Sequence, residues 1–170
     1  MEASSTMSTN SPNPDRLTAR RKAGYEHKQA RATHEKGVLI VFTGPGKGKT
    51  TAAFGMALRA IGHDMQVGIV QFIKGGQESA ERTVLSGFKQ VDFHAIGDGF
   101  TWLTQNRDQD IATAERAWAE AERMIHDPRY ALVILDELNI VLKYGYLDLT
   151  RVLATFAARR PELHLVVTGR

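Results

Sequence analysis

The sequence has no cysteine, which excludes disulfide scaffolds and cysteine-ligated zinc sites at the outset. It has no apolar run near the roughly 18 residues of a membrane span, and its polar N-terminus lacks the hydrophobic stretch of a secretory signal. A cytoplasmic protein is the expectation. Charge of one sign is also scarce, with a formal net charge of +3. Residues 1–36 hold seven Lys/Arg against four Asp/Glu, whereas residues 37–170 hold fifteen of each. A neutral body with a mildly basic leader argues against nucleic acid, because nucleic-acid domains gather basic charge on a folded face. The six histidines, at 27, 34, 63, 94, 126 and 164, show no metal-ligand spacing. No Ser/His/Asp or paired-carboxylate hydrolase pattern occurs either.

What is present is the material for one α/β domain. With 170 residues, 42% of them hydrophobic, the chain can bury a sizeable core. Residues 1–14 are rich in Ser, Thr, Asn and Pro and are expected to be a disordered leader. Residues 15–36 read as a polar helix. Its apolar positions, Leu17, Ala23, Tyr25, Ala30 and Ala32, make a poor stripe, so the helix is expected to depend on packing against something else. From Gly37 short apolar runs alternate with helical patterns. Strands are expected at 38–42, 67–72, 91–96, 131–135 and 163–167, and several are nearly continuous in Val, Ile and Leu, as suits parallel strands covered on both faces. Helices are expected at 50–61, 78–85, 108–125 and 149–158. Residues 37–170 therefore read as an α/β three-layer sandwich with a mostly parallel sheet.

Directly after the first strand comes Thr43-Gly44-Pro45-Gly46-Lys47-Gly48-Lys49-Thr50-Thr51, and a helix follows at once, the context a phosphate-binding loop requires. Glycines let the backbone curl until several N–H groups face one anion, and the helix N-terminus adds partial positive charge. Lys49 is placed to reach phosphates and Thr50 to ligate Mg²⁺, or Mn²⁺ by the same oxygen chemistry. The loop departs from G-x-x-x-x-G-K-[ST] in one respect: position 43 is Thr43, and the glycine comes one residue late at Gly44. A metal carboxylate is needed nearby. Ala131-Leu132-Val133-Ile134-Leu135-Asp136-Glu137, in which an alanine and four larger aliphatic residues run into two acids, supplies a candidate strand end. Either both acids hold metal, or one holds metal while the other acts as a base. For Asp136 alone, capping a helix is the competing reading.

Residues 97–106, Gly97-Asp98-Gly99-Phe100-Thr101-Trp102-Leu103-Thr104-Gln105-Asn106, read as a loop. In one reading its aromatics cover a core edge and Asn106 caps the next helix. In the other, Phe100 and Trp102, two apart in an extended segment, point the same way and form a wall for a large flat ligand. Gln71-Phe72-Ile73-Lys74-Gly75 ends the second strand, where such folds place ligand contacts; Lys74 there either touches a phosphate or is simply solvated.

With these residues assembled, the chain resembles the P-loop family of ATP:corrinoid adenosyltransferases. The matching stretches are 41–55, 70–75, Gly99-Phe100-Thr101-Trp102 with Thr104-Gln105-Asn106, Leu135-Asp136-Glu137-Leu138 and Val167-Thr168-Gly169-Arg170. The late glycine fits, since that family's loop is shifted in the same way. The resemblance implies a P-loop NTPase-like fold and attack of a corrinoid Co(I) on the 5′ carbon of ATP, with triphosphate expelled and adenosylcobalamin formed. It implies that Gly44, Pro45, Gly46, Lys47, Gly48, Lys49, Thr50, Thr51 and Arg170 contact the nucleotide. Thr50, Asp136 and Glu137 would serve the metal, with Glu137 as direct or water-linked ligand, and Phe100 and Trp102 would lie beneath the corrin and favour loss of its lower axial ligand. It further implies closure of the N-terminal helix over the site, an electron-donating reductase or flavoprotein, and a homodimer. Related chains run on past the Thr-Gly-Arg segment with a further helix and strand, which this chain is expected to lack. On residues alone, a P-loop ATPase or small-molecule kinase and a nucleotide-dependent nucleic-acid module remain the rival readings.

Overall fold

The computed structural model describes residues 14–33, 35–73, 79–96 and 106–170. The chain divides into two units at Glu35/Lys36. In the first, helix α1 spans Pro14–Ala30, six residues short of the expected end at 36. Asp15 in its first turn and His27 and Lys28 in its last complement the helix dipole, and Lys22 and Glu26 pair at 3.9 Å one turn apart. Leu17 and Tyr25 are exposed on it, in keeping with the absence of an apolar stripe.

The second unit runs β1 (Leu39–Phe42), α2 (Lys49–Ile61), β2 (Gln66–Gln71), α3 (Ala80–Leu85), β3 (Val91–Ala95), α4 (Arg107–His126), β4 (Tyr130–Asp136), α5 (Leu138–Lys143), α6 (Leu149–Ala158) and β5 (His164–Thr168). The five strands form one sheet in the order β1-β5-β4-β2-β3, and every pairing is parallel. This is a P-loop NTPase-like α/β fold, with the mostly parallel sheet of the sequence expectation wholly parallel among the described residues. Strand period explains the layers: alternate side chains leave opposite faces. Ile69, Leu132, Ile134 and Val166 go to the face covered by α2, where they meet Ala53, Phe54 and Ala57. Val70, Val133, Leu135, Leu165 and Val167 go to the other face, under α4 and α6, where they meet Trp118, Met124 and Phe156.

Side-chain caps mark the starts of three helices. Ser79, Asn106 and Asp148 cap α3, α4 and α6, each accepting a hydrogen bond from a backbone N–H two or three residues on. The buried apolar residues of α4, Ala114, Ala117, Trp118, Ala121, Met124 and Ile125, recur at helical spacing and lay one stripe on the sheet. Helix α5 has no counterpart in the sequence reading. Its six residues are too few to show a period, and it is fixed instead by burial of Leu138 and Val141.

Parallel pairing brings all five strand ends to one edge. Gln71 lies opposite Asp136 across β2 and β4, and Phe42 opposite Thr168 across β1 and β5. At this carboxyl edge the side chains turn from apolar to polar.

Candidate active site

The glycine-rich loop joins β1 to α2. Gly44, Gly46 and Gly48 all have φ near +100°, at 106°, 98° and 99°, a region that L side chains rarely enter. A Cβ at any of the three would meet no atom within 4 Å, so backbone twist, and not crowding, is what requires glycine here. The alternation of left-handed glycines explains the late first glycine, because Gly44 belongs to the same every-second-residue pattern as the other two. Gly48 is also the N-cap of α2 and has no side chain to satisfy the helix's first N–H groups. Those donors remain for an anion. The Lys49 ammonium folds back onto the loop, donating to Gly44 O at 2.9 Å and Gly46 O at 2.7 Å.

Asp136, at the end of β4, is 1% exposed. Its carboxylate accepts three hydrogen bonds, from Thr50 Oγ1 at 2.8 Å and Thr168 Oγ1 at 2.7 Å on Oδ1, and from Gln71 Nε2 at 2.9 Å on Oδ2. Asp136 therefore does not cap a helix. Of the roughly four lone-pair positions of a carboxylate, three are spent on the protein. Thr50 spends its only proton on Asp136, which leaves its oxygen lone pairs for a cation or another donor.

Glu137 is different in every respect. It occupies the left-handed region, with φ 64° and ψ 18°, at the start of α5, a conformation that costs a non-glycine residue about 1–3 kcal/mol and persists only where its surroundings impose it. Its backbone N–H donates to Thr168 Oγ1 at 2.9 Å. Its Oε2 is buried and accepts no hydrogen bond among the described residues. Burial pushes the carboxyl above the usual range and the Asp136 charge adds to this, while Lys49 and Arg170 pull the other way.

These groups share one cavity of about 510 Å³. Gly46, Lys49, Thr50, Asp136, Glu137 and Arg170 line it, joined by Gln71, Ile73, Ile140, Lys143 and Tyr144. Of the residues expected from sequence, Gly44 and Gly48 belong to the loop without lining the cavity, and Pro45 and Lys47 are exposed on it. Thr51 faces the groove between α2 and α3 instead. Phe100, Trp102 and Lys74 lie outside the described residues. Sequence reasoning placed Gln71 in a strand-end segment suited to ligand contacts and Thr168 in a stretch matching the family, gave neither an individual role, and did not single out Ile140, Lys143 or Tyr144. The first two are strand-end residues whose meeting with Asp136 depends on sheet order; the other three come with the unforeseen helix α5 and its end.

The donor set fits Mg²⁺. It is all oxygen, and Glu137 Oε2 is an orphaned buried acceptor. Among the described residues no three His, Cys, Asp or Glu side chains converge as a protein-only cage. That combination suits an ion that keeps several waters and relies on one or two carboxylates plus substrate phosphates.

The sequence matches the family description "ATP:corrinoid adenosyltransferase BtuR/CobO/CobP" over residues 35–170. A corrinoid adenosyltransferase of Pseudomonas aeruginosa is 53% identical over 152 residues, which make up 89% of this chain and 75% of the relative. The corrinoid adenosyltransferase CobA of Salmonella typhimurium is 48% identical over 141 residues, 83% of this chain and 71% of the relative. That of Escherichia coli K12 is 45% identical over 149 residues, 88% and 76% respectively.

Proposed function

The chain belongs to the ATP:corrinoid adenosyltransferase family, and from that premise we propose that it transfers the 5′-deoxyadenosyl group of ATP to the Co(I) centre of a corrinoid and releases triphosphate. The observation that carries this reading is the meeting, in one cavity, of Lys49, Thr50 and the Asp136–Glu137 pair at the carboxyl edge of a parallel sheet. Such an edge, beside a loop that opens a helix, is where α/β folds take phosphates.

The chemistry asks little of the protein in proton transfer. The electron pair on Co(I) attacks the 5′ carbon, the carbon–oxygen bond breaks, and its pair leaves on triphosphate, so cobalt ends bonded to carbon as Co(III). The nucleophile has no proton to lose, and no general base is needed. What remains is to hold the chain of phosphates and stabilise the charge that leaves with it. Lys49 exchanges the Gly44 and Gly46 carbonyls for phosphate oxygens, and the free N–H groups at the start of α2 donate beside it. Thr50, Asp136 and Glu137 would hold Mg²⁺, directly or through water. Mg²⁺, when bound, neutralises phosphate charge as a Lewis acid. Arg170, exposed at the rim, adds a second cation.

In this reading Phe100 and Trp102 lie beneath the corrin and ease reduction of Co(II) by weakening its lower axial ligand. A reductase or flavoprotein supplies the electron, and the enzyme works as a cytoplasmic homodimer. No helix among the described residues is long and apolar enough to cross a membrane.

The test is product analysis with ATP, Mg²⁺ and chemically reduced cobalamin. Triphosphate and an adenosylated corrinoid in equal amounts are expected. ADP with a phosphorylated product or free phosphate would mark a kinase or ATPase instead.

A further inference from the structure

The Thr168 side chain is fully buried, and its one hydroxyl is used twice. It donates to Asp136 Oδ1 at 2.7 Å and accepts from the Glu137 N–H at 2.9 Å. The two acids are thus tied through a single atom on a neighbouring strand. The second bond takes up the backbone N–H at the point where β4 ends and the chain turns through the left-handed conformation of Glu137. The same strand end is docked against the turn after it. Gly169, with φ 134°, lies so close to Asn139 that a Cβ there would stand 2.7 Å from the Asn139 Cβ, and Asn139 Nδ2 donates to Gly169 O at 3.4 Å. Arg170 follows immediately and lines the cavity.

We infer that Thr168 is a positioning residue for the transferase reaction: its hydroxyl fixes Asp136 and Glu137 relative to one another, and the Gly169 contact carries Arg170 to the same rim. Thr168 itself does not line the cavity. It acts by holding Asp136 against Thr50 and by holding Glu137 in a conformation that sends its carboxylate inward. This inference rests on the proposed Mg²⁺ and ATP site.

The experiment is a calorimetric titration of ATP, with and without Mg²⁺, into the full chain and two variants, each also followed by thermal melting. Thr168→Ser keeps the hydroxyl and loses only a methyl group; Thr168→Val keeps the branched shape and loses the hydroxyl. Wild type is expected to bind ATP more tightly with Mg²⁺, and Thr168→Ser to keep that gain. Thr168→Val should lose about tenfold or more of the Mg²⁺-dependent gain, the scale seen when a residue supporting a metal ligand is removed, while metal-free affinity, which rests on the loop and Lys49, stays near wild type. Undiminished Mg²⁺ dependence in Thr168→Val would overturn the inference. So would equal loss with and without Mg²⁺, the sign of a general loosening. Should Thr168→Val fail to fold, Thr168→Cys, with its weaker donor, makes the same comparison, and a full Mg²⁺ gain there counts against the inference. A wild type that shows no Mg²⁺ effect overturns the reading of the site, and this inference with it.

Discussion

Strand β4 passes through two different environments within seven residues. From Leu132 to Leu135 every side chain is buried among apolar neighbours on one face or the other, and packing alone decides what fits. One residue later Asp136 is equally buried and yet polar, held by Thr50, Gln71 and Thr168. Burial is the same; the means of satisfying it is not. In the body of the sheet an apolar side chain gains by leaving water, whereas at the edge a charge is tolerated only because three donors replace the water it lost. The body therefore sets stability and the edge sets chemistry, and substitutions in the two regions should separate accordingly.

The largest expected effect on stability lies in the body. Trp118 is fully buried, with its ring 6.1 Å from that of Phe156. Trp118→Ala should cost about 3–5 kcal/mol through lost contacts and a cavity, read by denaturant unfolding, with Mg²⁺-dependent ATP affinity unchanged in whatever fraction stays folded. A loss of metal dependence in that fraction would break the separation.

At the edge, replacing Asp136 and Glu137 together by Asn and Gln should weaken Mg²⁺-dependent ATP binding by on the order of 10–100-fold. Metal-free binding should change far less, because an amide oxygen carries no formal charge to meet a divalent cation. Isothermal titration with and without the metal measures the difference, and equal losses would contradict a metal role.

Asn106 sharpens the comparison from the side of local structure. Its Oδ1 accepts from Gln109 N at 3.2 Å as the N-cap of α4, so Asn106→Ala should cost about 1 kcal/mol of stability in a chemical denaturation curve. It should leave the Mg²⁺ dependence alone.

The smallest effect is electrostatic and lies far from the site. The Arg123 hydrogen bond holds Glu120 below its ordinary value of 4.5, and Arg129 holds Asp127 below its ordinary 3.8. Both carboxylates bind protons more readily in the unfolded chain, so their contribution is complete above the unfolded values and is lost as pH falls from there through the lower folded values. The melting temperature should therefore decline modestly below about pH 5, and by less in high salt, since these pairs sit at the surface. A rise in stability on acidification would contradict the assignment.

The body was the legible part of the sequence. Val, Ile and Leu runs at 67–72, 131–135 and 163–167 announced buried parallel strands, and the helical spacing of Ala114, Trp118 and Ile125 announced α4, because period and burial are written into neighbouring residues. The loop residues Lys49 and Thr50 were legible for a similar reason: strand, glycines and helix follow one another without a gap. Asp136 was visible as an acid at the end of an aliphatic run, but its partners were not. Gln71, Thr50 and Thr168 are 65, 86 and 32 residues away from it in sequence, and only the strand order brings them together. The positive φ of Glu137 was equally hidden, since it follows from the Thr168 contact and not from any glycine at that position.

Lys49→Ala, followed in one sample for melting and for triphosphate release with Co(I) cobalamin, tests the central claim most directly. The Lys49 ammonium donates to two carbonyls of its own loop, so the melting temperature should match wild type while turnover falls by roughly 10²–10³-fold, the scale for loss of one preorganised electrostatic group. A folded variant that releases triphosphate at the wild-type rate would contradict the account.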